Sequence, residues 1–184
     1  MTALRLAGPA DAVGVARLHA DSWRRHYRGA YADAFLDGDV VADREAVWAA
    51  RFAEPDAGVT ILAEDVAGEL LGFVHVVLDE DAAWGSLVDN LHVSHHRRRT
   101  GVGGRLLTRA AEEVAGRAVD GTSLYLWVLE QNTAARKFYE SYGGRCVEKT
   151  MVSPPGGHPE RLNGTPAKLR VAWHTASSVS HAPK

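Results

Sequence analysis

Cysteine occurs once, at Cys146. A disulfide within the chain is therefore excluded, as is a zinc site built from four thiolates, and nothing in the thiol count points to secretion. Long apolar runs are missing too. The longest, "LLGFVHVVL", falls far short of the ~20 residues of a spanning helix. The N-terminal "MTALRLAGPADAV" has no basic start followed by an apolar block, so no signal peptide is expected and a cytoplasmic setting is the default. Nor is positive charge in excess. Lys and Arg number 21 against 23 Asp and Glu, for a net charge of −2. Nucleic-acid-binding domains are usually basic, so that class is disfavoured, although Arg97, Arg98, Arg99, Arg105 and Arg109 form one local basic patch.

What is present is an ordinary globular balance, 46% hydrophobic and 24% charged over 184 residues, enough for one domain with its own core. "LRLA" from Leu4 reads as a strand. Pro9 opens a helix with Val13, Ala16, Ala20 and Trp23 on one face. "SWRRHYRGAYADAFLDG" breaks at Gly29 and restarts briefly, and "VADREAVWAARFAE" is a helix ended by Pro55. "VTILAED" and "LLGFVHVVL" read as an antiparallel hairpin around "VAGE", and "SLVDNLHV" as a further strand. A glycine loop leads into a helix from about Gly101 to Ala115. "SLYLWVL" is a strand and "NTAARKFYESY" a short helix closed by Gly143. "RCVEKTMV" and "AKLRVAW" are two last strands around the loop "SPPGGHPERLNGTP". The expected fold is α+β: a single domain over residues 1–174, with a mixed, mainly antiparallel central sheet flanked by helices, and a flexible tail over 175–184.

The loop "RRRTGVGG" before an apolar helix has the composition of a phosphate cradle. It lacks the Lys-Ser/Thr pair of a nucleotide P-loop, because Arg105 and Leu106 follow the glycines. It lacks the third glycine of a dinucleotide fingerprint, where Leu106 stands, and the preceding chain is hairpin rather than βαβ. What remains is strand, Arg-x-x-Gly-x-Gly, helix. The free N–H groups and positive dipole of a helix start suit a diphosphate, and glycines let it approach the backbone. The same glycines would equally serve a tight strand-to-helix turn. Downstream, Asn132 and Tyr139 lie seven residues apart, on one helix face with Ala135 between them. Asn132 also suits an N-cap, and Tyr139 a core position beside Phe138 and Tyr142.

"LHV", "RRRTGVGG" and "NTAARKFYESYG", in this order and spacing, resemble the GNAT superfamily of acyl-CoA-dependent N-acetyltransferases. "SWRRHYRGAYADAFLD" is similar to a "W-R-x-x-Y-R-G" segment of a bacterial branch, and Gly144 departs from the family, which usually has a large residue there. The resemblance implies acetyl-CoA as co-substrate, and no metal is expected. Arg98, Arg99, Gly101, Val102, Gly103 and Gly104 would hold its pyrophosphate. Leu91, His92 and Val93 would pair with the pantetheine arm across a splayed gap to the next strand, and Asn132 would bond the arm further along. Tyr139 matches the family's usual general acid. Asp89 is the candidate base and His92 a second, each with an ordinary structural reading beside it, and a backbone N–H near Leu91 or His92 would stabilise the oxyanion. Trp23, Tyr27 and Tyr31 would wall the acceptor, with Trp84 and Trp127 as additions, although aromatics in such segments commonly serve the core. The paired His95 and His96 lack the carboxylate or thiolate support of a metal site. The implied partner is a small-molecule amine, with no nucleic acid or membrane involved and a homodimer left open. A non-catalytic acyl-CoA-binding module and a protein or peptide N-acetyltransferase stand as alternatives.

Overall fold

The computed structural model describes residues 2–54, 58–119, 121 and 123–180. Among the described residues the strands are β1 (Ala3–Leu6), β2 (Val59–Glu64), β3 (Leu70–Asp81), β4 (Gly85–Val93), β5 (Leu124–Leu129), β6 (Arg145–Met151) and β7 (Ala167–Trp173). The helices are α1 (Ala12–His26), α2 (Asp33–Asp37), α3 (Val40–Ala53), α4 (Val102–Arg117) and α5 (Thr133–Ser141). All seven strands join one sheet in the order β1-β2-β3-β4-β5-β7-β6. Every neighbouring pair is antiparallel except β4 and β5. The α+β class and the sequence of elements are as the sequence implies. Pro55, the expected stop of α3, lies outside the described residues.

Strand β2 is buried along almost its whole length and β3 from Leu71 to Val76, the pattern of strands covered on both faces. Alternation sorts them. Ile61, Ala63, Val74 and Val76 enter the larger core with Leu106, Leu107, Ala110 and Val114 of α4. Leu62 and Phe73 enter a separate cluster with Val15 and Ala16 of α1 and Trp48 of α3. Helix α4 thus lies on one face of the sheet, and α1 with α3 on the other.

The buried arc of α1 differs from the expected one. Val15, Ala16, His19, Ala20, Ser22 and Trp23 are buried, whereas Val13 is 50% exposed. The arc is centred between His19 and Trp23, which leaves Val13 at its rim in the first turn. Two polar residues sit on this face, so a search for apolar periodicity centres it wrongly. The chain end is corrected as well. Ala176 and Val179, expected within a flexible tail, are buried in the core that α4 supports, so packed structure continues past residue 174.

At Gly143 the backbone turns left-handed (φ +83°) and closes α5. A Cβ at Gly144 would lie 2.6 Å from Val171 Cγ1 and 2.7 Å from Trp173 Cζ2. The Trp173 indole, whose Nε1 donates to the Tyr142 carbonyl at 2.8 Å, therefore stands against Gly144 where a side chain would go. This accounts for a glycine at a position where the GNAT resemblance leads one to expect a bulky residue. Gly144→Leu should destabilise the fold by about 1–3 kcal/mol through overpacking, read from urea midpoints. Combined with Trp173→Ala, the two losses should sum to more than the loss of the double variant; strict additivity would separate the two positions.

Candidate active site

The site originates in a mismatch between two strands. β4 and β5 pair in parallel only through Ser86–Leu124, Leu87–Tyr125 and Val88–Leu126. On its other side β4 pairs His75 with Asn90 and Val76 with Val88, so Asp89 is an extra residue in a bulge. A bulge bends its strand and strengthens the local twist. Beyond it β4 parts from β5, and a cleft of about 610 Å³ opens between Asp89–Val93 on one side and Trp127–Leu129 on the other. The inner edge of β4 there has no β5 partner, so alternate N–H and C=O groups face the cleft.

The glycine loop closes one end. Arg99 and Gly101 are both left-handed (φ +61° and +84°), and Gly101 is the N-cap of α4. A Cβ at Gly101 would meet nothing within 4 Å, so its glycine serves the backbone angle. The first helical bond runs from Arg105 N–H to the Gly101 carbonyl (3.1 Å), which leaves the N–H groups of Val102, Gly103 and Gly104 without intrahelical partners. Gly103 and Gly104 line the cleft, whereas the Val102 side chain is buried in the core and only its backbone remains for a ligand. Gly104 has a second duty: a Cβ there would fall 1.8 Å from the Tyr142 hydroxyl. The arginine patch divides. Arg105 donates to the Thr2 carbonyl, Arg109 pairs with Glu113, and Arg97 lies 3.7 Å from Asp65. Arg97, Arg98 and Arg99 all line the cleft, and Arg98 and Arg99 have no carboxylate partner among the described residues.

Helix α5 forms the opposite wall. Asn132 is its N-cap, accepting from Ala135 N–H at 3.1 Å, and lines the cleft as well. Tyr139 is buried and lines the same cleft, and its hydroxyl makes no hydrogen bond among the described residues. Burial, aided by nearby Tyr27, raises its pKa above the ordinary tyrosine value, so it stays protonated. Leu91, His92 and Val93 face it from β4.

Of the two candidate bases, His92 is a poor one. Its Nδ1 shares a hydrogen bond with Ser22 Oγ (2.8 Å), its ring packs 4.5 Å from that of His19, and burial pushes its pKa down to about 3. Asp89 lies at the junction of the cleft with a second pocket. Its Oδ2 pairs with Arg51 and accepts from Asn90 Nδ2 at 2.6 Å, while Oδ1 has no hydrogen-bond partner among the described residues.

The profile of the acetyltransferase (GNAT) family matches residues 15–144. The chain belongs to this family. It is similar to an uncharacterised N-acetyltransferase of Bacillus subtilis (strain 168), YuaI, with 28% identity over 149 residues, covering 80% of this chain and 82% of the relative. Among solved structures it is similar in fold to the PaiA N-acetyltransferase of Thermoplasma acidophilum in complex with coenzyme A (TM-score 0.72, 15% identity, 94% of this chain and 99% of that one). It is also similar in fold to NAA60 of Arabidopsis thaliana in complex with acetyl-CoA (TM-score 0.66, 18% identity, 94% and 98%). As a GNAT member the protein is an acetyl-CoA-dependent N-acyltransferase. No group of three or more metal-ligating side chains is assembled among the described residues, and His95 and His96 stand with ring centres 5.9 Å apart. No helix there is long and apolar enough to cross a membrane.

The second pocket, about 240 Å³, adjoins the cleft and shares Tyr27, Asp89, Asn90 and Trp127 with it. Trp23, Tyr27 and Tyr31 all line it. Trp23 and Tyr31 are at the same time 7% exposed members of a core cluster with Phe35 and Leu36, so both readings of these aromatics hold. Trp84 is placed elsewhere, under Arg170. Burial and the charge of Asp89 push the Tyr27 hydroxyl up to about 12. The loop expected at "SPPGGHPERLNGTP" carries two short helical turns and crosses to the N-terminal half. There Ala32 N–H donates to the Arg161 carbonyl, and Asn163 N–H to that of Ala30, both at 2.9 Å.

Sequence reasoning missed Ser22 and His26 of α1 in the cleft, and Arg44, Arg51 and Lys168 in the pocket. Ser22 and His26 were findable, being four residues apart on one helix face with Trp23 and Tyr27 beside them. Arg44, Arg51 and Lys168 had no local signal, because α3 and β7 reach the pocket only through the tertiary fold.

A Cβ at Gly103 would make ordinary contacts with Phe138 (3.5 Å) and Val93 (3.6 Å), so Gly103→Val should fold. It should lose the rise in melting temperature that acetyl-CoA gives the parent, because the added methyls stand over the free N–H groups. An unchanged shift in the folded variant would remove the loop from the site.

Buried histidines generate a separate expectation. His92 and His75 have folded pKa values of about 3 and about 4, and burial holds that of His19 well below the ordinary histidine value. Each is depressed relative to the unfolded chain. Its contribution is therefore intact above pH ~6.5 and is lost as pH falls toward the folded value, at about 1.4 kcal/mol per pH unit and per histidine. Urea midpoints should fall steeply between pH 6.5 and 4, and His75→Gln should reduce that slope by one proton.

Proposed function

We propose that this GNAT member transfers the acetyl group of acetyl-CoA to the primary amine of a small molecule, by direct attack with both substrates bound. The observation that carries the reading is the contact of the cleft with the smaller pocket at Asp89, an arrangement in which two ligands would meet end to end. The pyrophosphate of the cofactor fits the N–H groups of Val102, Gly103 and Gly104, with Arg98 and Arg99 on the rim. The pantetheine arm fits the unpaired edge of β4 beyond Val88, as an added strand would. This runs the thioester toward Asp89. The 240 Å³ of the acceptor pocket is below the roughly 300–1,000 Å³ of sites for drug-sized ligands and favours a small amine over a peptide.

An alkylammonium with a pKa near 10 must lose a proton before it attacks. The free Oδ1 of Asp89, directly or through a water, takes it. The neutral nitrogen then adds to the thioester carbon, and a β4 backbone N–H near Leu91 or His92 steadies the oxyanion. As the tetrahedral intermediate collapses, the C–S bond breaks and the C–N bond remains. The amide nitrogen sheds its second proton, and the thiolate acquires one. The raised pKa of Tyr139 bears on this last step. A thiol titrates near 8.5, so full transfer from Tyr139 is uphill. The hydroxyl keeps its proton and stabilises the departing sulfur by donating a hydrogen bond; solvent takes the second proton of the nitrogen and supplies one to the thiolate.

The test is release of CoA thiol from acetyl-CoA across a series of amines. With an accepted amine, Tyr139→Phe should lower kcat roughly 10- to 1000-fold with acetyl-CoA affinity nearly intact. Equal turnover in the two proteins would return Tyr139 to a core role. Acetyl-CoA binding without thiol release from any amine would favour a non-catalytic binding module.

A further inference from the structure

The acceptor pocket holds more positive charge than acetyl transfer requires. Arg44, Arg51 and Lys168 line it, against Asp89 as the acid. The neighbouring carboxylates are already engaged. Asp43 accepts from Arg44 Nε at 2.9 Å and from Arg161 Nη1 at 2.6 Å, so one carboxylate serves two guanidinium groups. Asp89 is held by Arg51. Glu148, beyond Lys168, lies 3.0 Å from Arg170, and Glu130 is bonded to Lys149 at 2.7 Å. Lys168 has no carboxylate partner among the described residues. Its ammonium rests 4.6 Å over the Trp127 ring, which Arg170 also covers at 4.7 Å. Half-burial and the charge of Arg170 lower its pKa, which marks a cation short of compensation. Arg51 adds a second unmet donor, because its Nη1 is buried without a hydrogen-bond partner.

These features oppose an acceptor that is only a cation. The two indole faces of the pocket, those of Trp23 and Trp127, are already covered by the protein's own cations. Arg44 lies 4.2 Å over Trp23, which also stacks with Tyr27 at 5.3 Å, and Lys168 lies over Trp127. A polyamine entering here would meet like charge on three sides.

Deepening the acetyl-transfer reading and resting on it, we propose that the acceptor carries an anionic group, a carboxylate or phosphonate, a few bonds from its amine. The anion is bound by Lys168, with the charge of the Arg51 guanidinium in the same wall adding to the attraction, while the nitrogen is turned toward Asp89 and the mouth of the cleft. An amino-acid-sized molecule suits the volume of the pocket. The anion takes no part in bond making; it orients the nitrogen and sets KM.

The experiment compares matched acceptors by CoA thiol release. It uses the proteinogenic amino acids, the amide of each, the decarboxylated amine of each, aminoalkylphosphonates and spermidine. The expected result is a kcat/KM at least ~10-fold higher for carboxylate or phosphonate members than for their uncharged counterparts. Lys168→Met should raise KM for those members by ~10-fold or more, with little change for the amides and none in KM for acetyl-CoA; Lys168→Arg should restore most of the loss. Amides, plain amines or spermidine used as well as the anionic members would overturn the anion site and leave acetyl transfer standing. Thiol release from no member, with acetyl-CoA still raising the melting temperature, would instead remove the acetyl-transfer reading and this inference with it.

Discussion

One extra residue in β4 shapes the site. With Asp89 bulged out of the β3 ladder, β4 cannot remain beside β5, and pairing ends at Val88 and Leu126. A parallel sheet that closed fully would leave no backbone edge for a ligand and no opening between its strands. The divergence supplies both. It also places the bulged residue at the mouth, where the cleft meets the smaller pocket. The cradle at the start of α4 and the wall formed by α5 are useful only because this gap runs between them.

The rest of the molecule holds that gap open. α4 covers one face of β2 and β3 with Leu106, Leu107 and Ala110, and α1 with α3 covers the other through Val15, Ala16 and Trp48. The second face is unusually polar. His19 is buried, with Nδ1 accepting from Trp48 Nε1 at 3.0 Å and Nε2 unsatisfied; His92 is bonded to Ser22 and His75 to Thr60. His92 lies on the strand that bears Asp89, and His75 on the strand beside it. Neutral, hydrogen-bonded histidines fill that layer without adding charge beneath the site, at the expense of stability in acid.

The acceptor half follows a different logic from the cofactor half. The cofactor half uses backbone: the free amides of a helix start and the edge of a strand. Such groups recognise what all acyl-CoA molecules share. The smaller pocket, the proposed acceptor half, instead presents side chains from α1, α3, β5 and β7. Arg44 and Arg51 come from one helix, Lys168 from a strand near the other edge of the sheet, and Tyr27 from the end of α1. On the proposed reading, discrimination between acceptors would rest on these side chains rather than on backbone.

Much of this was legible in the chain. Apolar alternation and turn residues fixed the strands and helices, since both are local properties, and "RRRTGVGG" exposed the cradle because a helix start needs only neighbouring residues to bind a phosphate. The spacing of Asn132 and Tyr139 placed both on one wall for the same reason. The splay of β4 from β5 was expected from resemblance alone; its cause, the bulge at Asp89, depends on the register of β3 against β4, which no local pattern encodes. Which polar residues of α1 point inward, what stands against Gly144, and that Arg44, Arg51 and Lys168 converge on one pocket were decided by tertiary packing. The sequence determined the elements and the chemistry of their ends, because those depend on residues within a turn or two of each other. Only the fold determined which distant charges would share a wall, because that depends on the geometry of the whole sheet.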